Sequence, residues 1–336
     1  MRVEDSVGSV LAYDLTKIVK GDFKGAAFRK GHIIREEDVE ELKKMGKYHI
    51  FAIELGEDEV HEEDAAIMIA ERTMGRGLSR TEPVEGKVSL KADYRGVLKV
   101  NEEALEEVNS IDMAMLSTLH TNTLVEEGKI VAGTRIIPLT IKKDELDKLI
   151  DIEAKYGKII EVMPIQKLKV GIVVTGTEVY EGLIKDKFGP VLEEKVKELD
   201  GELLEIRYTP DYQDRIMEEI GYFIDKGVDL VMVSGGMSVD ADDITPLAIR
   251  GVVDELVTYG SPVLPGAMFM LGYKGKTSVI GIPACGMFHR ITVLDLVLSR
   301  IFAGEKLSKR DISRLGHGGL CMNCEVCRYP VCPFGK

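Results

Sequence analysis

The chain has 336 residues, 45% of them apolar, with no tryptophan and a mean hydropathy close to zero, enough for two or three domains with cores of their own. A formal charge of −13 argues against broad nucleic-acid or anionic-membrane binding, because neither polyanion attracts a strongly acidic surface. No apolar run reaches the roughly 20 residues of a bilayer span, and the start Met1-Arg-Val-Glu-Asp-Ser6 lacks a basic and an apolar leader region, so a cytoplasmic protein is expected.

In chain order, Ser6–Tyr13 reads as a short helix and Arg35–Lys44 as an amphipathic one closed by Gly46, followed by a strand over Tyr48–Leu55. A second helix is predicted over Glu62–Thr73, ended by Gly75 and Gly77. From Pro83 to Ile141 the pattern turns to short runs such as Lys87–Leu90, Val97–Val100, Ile111–Leu116 and Gly133–Ile141, separated by Gly, Asn and Asp, which predicts a β-rich module. The charged helix Lys143–Tyr156 then leads to a strand at Ile159–Met163.

From Lys169 onward strands and helices alternate. Val170–Val174, Leu203–Tyr208, Val228–Val233 and Thr277–Ile282 read as strands. Helical spacing joins Phe188, Val191, Leu192, Val196 and Leu199, and again Ile216, Ile220, Phe223 and Ile224; further helices are expected after Asp243 and over Gly286–Ala303. The fold class is therefore α/β, a mainly parallel sheet with helices on both faces, whose ligands sit beyond the carboxyl ends of the strands. The chain divides into an N-terminal α+β and β-rich region (1–165), this α/β domain (166–304) and a Cys-rich tail (305–336).

Two strands run straight into glycine turns, at Thr175-Gly-Thr-Glu178 and at Ser234-Gly-Gly-Met-Ser238. Such turns leave hydroxyls and backbone N–H groups free, and without a Cβ a phosphate can come close. The second is followed by Asp240, Asp242 and Asp243, carboxylates of the kind that bring Mg²⁺ to a phosphorylated ligand. The structural alternative is that each turn starts a helix and the aspartates cap it.

The segment from about Lys167 to Gly304 is similar to the molybdopterin-binding domain shared by the molybdenum-cofactor biosynthesis proteins. Thr175-Gly-Thr-Glu178, Ser234-Gly-Gly-Met-Ser238 with Asp243, Pro265-Gly266 and Gly281-Ile-Pro283 stand in that family's order and spacing. Val3–Leu15 looks like the first helix of the molybdopterin molybdenumtransferases in that group, and Gly31–Ile53 resembles a segment that they place a little later. The resemblance implies binding of molybdopterin or its adenylylated form. In the transferase branch it also implies molybdate insertion with Mg²⁺ and release of AMP.

By the same resemblance Thr175, Gly176, Ser234, Gly235, Gly236 and Ser238 cradle the phosphate or pyrophosphate. Glu178, Asp242, Pro265, Gly266 and Pro283 complete the ligand's surroundings, and Asp211 and Asp243 match the family's functional acids. Asp211 also has a plain alternative, capping the helix that follows Pro210. The chain departs from the pattern at Thr177, which replaces an aspartate, at Leu264 and Ala267, which replace lysines, and at Pro283-Ala-Cys-Gly286. A lost acid and two lost lysines change metal and oxyanion binding, so a transferase and a non-catalytic binder both stay open.

The tail carries Cys321, Cys324, Cys327 and Cys332, spaced C-x2-C-x2-C-x4-C and followed by proline. Close thiolates suit one metal centre; the spacing is one residue longer at its end than the bacterial ferredoxin run, and zinc accepts the same four sulfurs. Iron–sulfur cluster and zinc are both open. His317, in Gly-His-Gly-Gly, either replaces one of these ligands or, as is commoner, belongs to a flexible hinge. Cys285 is either an inert buried thiol or a contact to the ligand's dithiolene end.

Three functions compete: molybdopterin binding with molybdate insertion; a non-catalytic cofactor carrier or chaperone delivering to a molybdoenzyme; and a nucleotide pyrophosphatase or amidase like the competence-damage-inducible proteins, which Asp242-Asp243-Ile-Thr245 resembles. The expected partners are molybdopterin, molybdate, a molybdoenzyme and a second copy of the chain as a homodimer.

Overall fold

Which way a side chain faces on a strand alternates with period two, and in the computed structural model this alternation builds the larger part of the molecule. The structure describes residues 1–19, 23–51, 55–238, 240 and 243–336, without the side chains of 18, 19, 23, 24 and 26. It divides into two compact units. One holds Met1–Asp93, Val100–Leu119 and Glu127–Glu161; the other holds Tyr94–Lys99, His120–Glu126 and Val162–Lys336.

In the first unit the helices Glu62–Thr73 and Lys143–Tyr156 stand at their predicted bounds, and Glu36–Lys44 is one residue shorter. Strands Leu78–Arg80, Val88–Ala92, Ile130–Ile136 and Ala114–Thr118 pair in that order as an antiparallel sheet. The helix expected over Ser6–Tyr13 is a single 3-10 turn at Val3–Asp5. Beyond it the chain extends: Leu11 N–H donates to the His32 carbonyl at 2.9 Å and Val10 bridges Ile33. Gly8 has φ +87, and Val3, Leu11 and Leu15 reach a small core with Ile34 and Leu42 by pairing across the chain, not along a helix stripe. Of the strand expected over Tyr48–Leu55, His49 forms an isolated bridge to Arg2, and Ala52–Glu54 lie outside the described residues. Helix Glu102–Asn109 was not anticipated; Asn101 caps it, its side-chain oxygen accepting from the Ala104 N–H at 3.1 Å.

The second unit is a six-stranded sheet, numbered here in chain order: β1 Lys169–Thr175, β2 Glu202–Thr209, β3 Leu230–Ser234, β4 Glu255–Tyr259, β5 Met270–Lys274 and β6 Thr277–Ile282. Its spatial order is β2-β1-β3-β6-β5-β4. The first four in that order run parallel, and β5 lies antiparallel between β6 and β4. The helices are α1 Thr177–Tyr180, α2 Phe188–Glu198, α3 Gln213–Asp225, α4 Thr245–Val252, α5 Val293–Phe302 and α6 Lys309–Arg314.

Alternate residues feed two cores. Val170, Ile172 and Val174 of β1, with Leu230 and Met232 of β3 and Ile280 of β6, pack with α2 and α5. Val173, Val231, Val233 and Val279 face the other way onto Ile216, Ile220 and Phe223 of α3 and Ile249 of α4. Gly171 is the gap that admits Phe223, whose ring lies 2.3 Å from where a Cβ would sit. The expected α/β fold with helices on both faces is thus observed, with an antiparallel pair at one edge that the sequence reading did not include.

One predicted helix is divided. In place of Gly286–Ala303 there is a 3-10 turn at Ala284–Met287 and then α5. Thr292 restarts the helix: its hydroxyl accepts from the Leu294 N–H at 3.2 Å while the Asp295 carboxylate accepts from the Thr292 N–H at 2.7 Å, a reciprocal cap. The Gly-His-Gly-Gly stretch is a packed turn and not a hinge, since a Cβ on Gly319 would lie 2.4 Å from the Leu315 carbonyl oxygen. Among the described residues no helix is long and apolar enough to cross a membrane.

Candidate functional site

The register of the parallel strands brings the site residues to one edge. Thr175 pairs with Thr209, Val174 with Ser234, and Ser234 with Ile282. Gly176, Pro210, Gly235 and Pro283 therefore leave the sheet side by side at its carboxyl end.

At this edge the chain approaches itself as closely as glycine allows. Gly235 has φ +93, and a Cβ there would sit 2.3 Å from the Thr175 carbonyl oxygen and 2.5 Å from its hydroxyl. Gly236 has φ +55, with a would-be Cβ 2.8 Å from the Thr245 hydroxyl. The hydroxyls of Thr175 and Thr245 are 3.4 Å apart. Ser234, the last residue of β3, is fully buried, and among the described residues its hydroxyl has no hydrogen-bond partner. Buried polar groups are nearly always paired, so this hydroxyl, next to a double-glycine turn, is an exception among the buried polar side chains. Thr245 was not among the expected site residues, although Asp242-Asp243-Ile-Thr245 was the signal for it.

Asp211 does not cap the helix that follows it. Its carboxylate accepts from the Thr177 N–H at 2.8 Å and from the Thr177 hydroxyl at 3.3 Å, reaching across from the end of β2 to the first turn of α1. Thr177 is thus the partner of this carboxylate, where an acid at the same position would repel it. Asp211→Ala leaves the Thr177 N–H without this acceptor. The expected cost is about 1–2 kcal/mol in the urea-unfolding free energy, while Asp211→Asn, which keeps an acceptor, loses less than half of that.

Asp243 is half-buried and accepts from the Asp240 N–H at 2.9 Å. It lies close enough to Tyr259, at the end of β4, to help burial push that phenol above its usual pKa. Ser238 is half-buried, and Asp242 lies outside the described residues. Glu178 is exposed on α1. Cys285 follows Pro283 on the 3-10 turn, its carbonyl accepting from the Phe288 and His289 N–H groups; burial raises its thiol pKa, which keeps it in the unreactive protonated form at neutral pH.

Pro265 and Gly266 lie in the loop between β4 and β5, which leaves the sheet at the same edge, since Met270 at the start of β5 pairs with Gly281 of β6. A Cβ on Gly266 would lie 2.5 Å from Val293, and the Val293 N–H donates to the Pro265 carbonyl at 3.2 Å. The loop also meets the tail at Gly319–Cys321, and the Ser261 hydroxyl donates to the Gly266 carbonyl at 2.9 Å. Cys321, Cys324, Cys327 and Cys332 are free thiols, and among the described residues no three His, Cys, Asp or Glu side chains gather around one point as a metal site.

A family model described as a probable molybdopterin binding domain matches residues 171–302. A second, described as a domain of unknown function (DUF8806), matches residues 1–54. The CinA-like protein of Mycobacterium avium (strain 104) is 41% identical over 83 residues, 25% of this chain and 19% of its own. That of Mycolicibacterium gilvum (strain PYR-GCK) is 43% identical over 77 residues, 23% of this chain and 18% of its own. The chain therefore spans about a fifth of the length of the curated relatives it matches. Among solved structures, the molybdopterin biosynthesis enzyme MoaB of Thermus thermophilus aligns at 21% identity over 41% of this chain and 98% of its own, with a TM-score of 0.37. The span matched by the molybdopterin-binding model contains all the strand-tip residues described above and ends before the four tail cysteines.

Proposed function

We propose that residues 166–304 bind molybdopterin or its adenylylated form, with the phosphate end at the tips of β1 and β3, and that the chain inserts molybdate with release of AMP. The observation that carries this reading is the buried, unpartnered Ser234 hydroxyl beside two glycines with no room for a Cβ, inside the span matched by a probable molybdopterin binding domain. Amides and hydroxyls at such a turn favour a phosphate by direct donation and carry no charge to be neutralised.

In this reading the hydroxyls of Thr175, Ser234 and Ser238 and the amides of Gly176, Gly235 and Gly236 hold the phosphate. Glu178, Pro283, Cys285 and the Pro265–Gly266 loop border it. Mg²⁺ typically takes one or two protein carboxylates and completes its shell with substrate phosphates and water, so a preformed cluster of acids is not required. Asp243, with Asp242 next to it in sequence, supplies that carboxylate. Asp211 acts at one remove, by fixing Thr177 and α1. A bound Mg²⁺ supplies neutralisation of charge on the pyrophosphate. The four tail thiols hold a metal centre, iron–sulfur or zinc, and a molybdoenzyme and a second copy of the chain are the proposed partners.

Incubation with adenylylated molybdopterin, molybdate and Mg²⁺ is expected to liberate AMP. Asp243→Asn should lower that rate by at least about tenfold and leave pterin affinity within about twofold. An unchanged rate removes Asp243 from the reaction. Tight pterin binding without AMP release overturns the insertion step and leaves a cofactor carrier.

The local identity of 41–43% with CinA-like proteins favours a second reading, a nucleotide pyrophosphatase or amidase using the same strand tips. Turnover of pyridine nucleotides or nucleotide sugars in place of pterin binding distinguishes it.

A further inference from the structure

The six-stranded sheet ends at β2, and among the described residues no strand pairs with its outer side. A row of backbone N–H and C=O groups stands open there, a template for a further strand. Leu204 and Tyr208 of β2 are 44% and 41% exposed. Beside them α1 and the turn after it expose Tyr180, Leu183 and Ile184, and Tyr212 is exposed just past the strand. The Tyr208 hydroxyl donates to Asp186 at 3.1 Å, which ties that turn to β2. Large apolar side chains gathered in this way mark a surface that meets another protein, and tyrosine is enriched where proteins pair.

The charges along β2 select the partner. Two identical strands paired antiparallel are related by a two-fold axis that keeps each side chain on its own face, so the register must centre on one residue. Centred on Glu205 or on Arg207, like charges meet at the axis. Centred on Leu204, the axis falls on the residue that β2 has in excess of β1, since Val170 pairs with Leu203 and Gly171 with Glu205, a bulge that interrupts pairing. Centred on Tyr208, Ile206 faces Pro210, which has no N–H to give. Centred on Ile206, Glu205 faces Arg207 of the second copy and Leu204 faces its Tyr208, and the symmetry makes each pair twice. Arg207 has a nitrogen to spare for this: Nε and one terminal nitrogen donate to Glu219, while the other terminal nitrogen lies 3.9 Å from Glu205 of its own strand, beyond hydrogen-bond distance.

We propose that two copies of the chain join β2 to β2 in the register centred on Ile206, making one continuous sheet from two six-stranded ones. The proposal rests on the reading of a second copy as partner and says where that copy docks. The antiparallel pairing points the two carboxyl edges in opposite directions, so each copy keeps a strand-tip site of its own.

Light scattering on the full chain is expected to give twice the mass of one chain. Glu205→Arg and Arg207→Glu each set like charges opposite one another at both places, and each should raise the dimer dissociation constant by at least about tenfold. Mixing the two variants in equal amounts puts opposite charges back, and the mixed dimer should form within about threefold of the parent constant. A variant that failed to fold could not be rescued in this way. A monomeric parent overturns both the second copy as partner and this interface. A parent dimer that neither variant weakens overturns the interface alone, and a mixture no tighter than the single variants overturns the register.

Discussion

Gly235→Ala is expected to weaken binding of adenylylated molybdopterin by about a hundredfold, corresponding to nearly 3 kcal/mol. Two effects combine at this position. Alanine at φ +93 occupies backbone space that L-residues rarely adopt, at a cost of about 1–3 kcal/mol. Its methyl group would also lie 2.3 Å from the Thr175 carbonyl oxygen, so the tips of β1 and β3 must separate, and those tips carry the proposed phosphate donors. Gly227→Ala is the control: it has φ +70 but no atom within 4 Å of a would-be Cβ. Both variants should lose stability in thermal unfolding, but only Gly235→Ala should lose ligand affinity by isothermal titration. Equal affinities for the two variants would exclude the strand tips as the phosphate site.

Arg300→Ala is expected to cost about 3–5 kcal/mol of unfolding free energy, the usual penalty for removing one partner of a buried ion pair. Arg300 is 4% exposed and serves two acids: its Nε donates to Glu305 at 2.9 Å and a terminal nitrogen donates to Asp311 at 3.0 Å. Lys99 also reaches Glu305, at 2.9 Å, and would be left as that carboxylate's remaining cation. Arg300→Lys keeps the charge but not the fork that reaches both acids, and should fall between the two.

The same network sets an acid limit. Burial raises the pKa of Asp311, but hydrogen bonds from Ser308 and Arg300 outweigh it and bring the value from 3.8 to about 2. Glu305 is also lowered, burial again being outweighed by Arg300 and Lys99. A carboxyl group whose pKa falls on folding contributes stability above its unfolded value and loses it as pH falls through the folded value. For Asp311, therefore, stability should drop between about pH 4 and pH 2, and Asp311→Asn should flatten that part of the urea-unfolding profile. A slope identical to that of the parent protein would rule out this source.

Elements whose burial pattern is internal to a short window were legible in the chain. The valine-rich β1 and β3, the helices Glu62–Thr73 and Lys143–Tyr156, and the two glycine turns all announce themselves, because period-two or helical spacing and a glycine that must take positive φ are local requirements. The opening segment misled for the opposite reason. Val3, Leu11 and Leu15 bury by pairing with Tyr48, His32 and Phe28 respectively, long-range events that leave no period in Ser6–Tyr13. The β4–β5 pair and the break before Thr292 likewise depend on neighbours remote in sequence.

The sequence by itself determined that glycine and hydroxyl residues stand at strand ends and that four thiols cluster near the C-terminus, since composition and spacing are properties of neighbours along a chain. Only the tertiary structure decided that Asp211 faces Thr177 and not its own helix, that the Ser234 hydroxyl is buried with no partner among the described residues, and that the cysteine segment is fastened to Leu264. Each of those depends on the register between strands and on the packing of segments far apart in sequence, and a one-residue change of register would turn every such group to the other side.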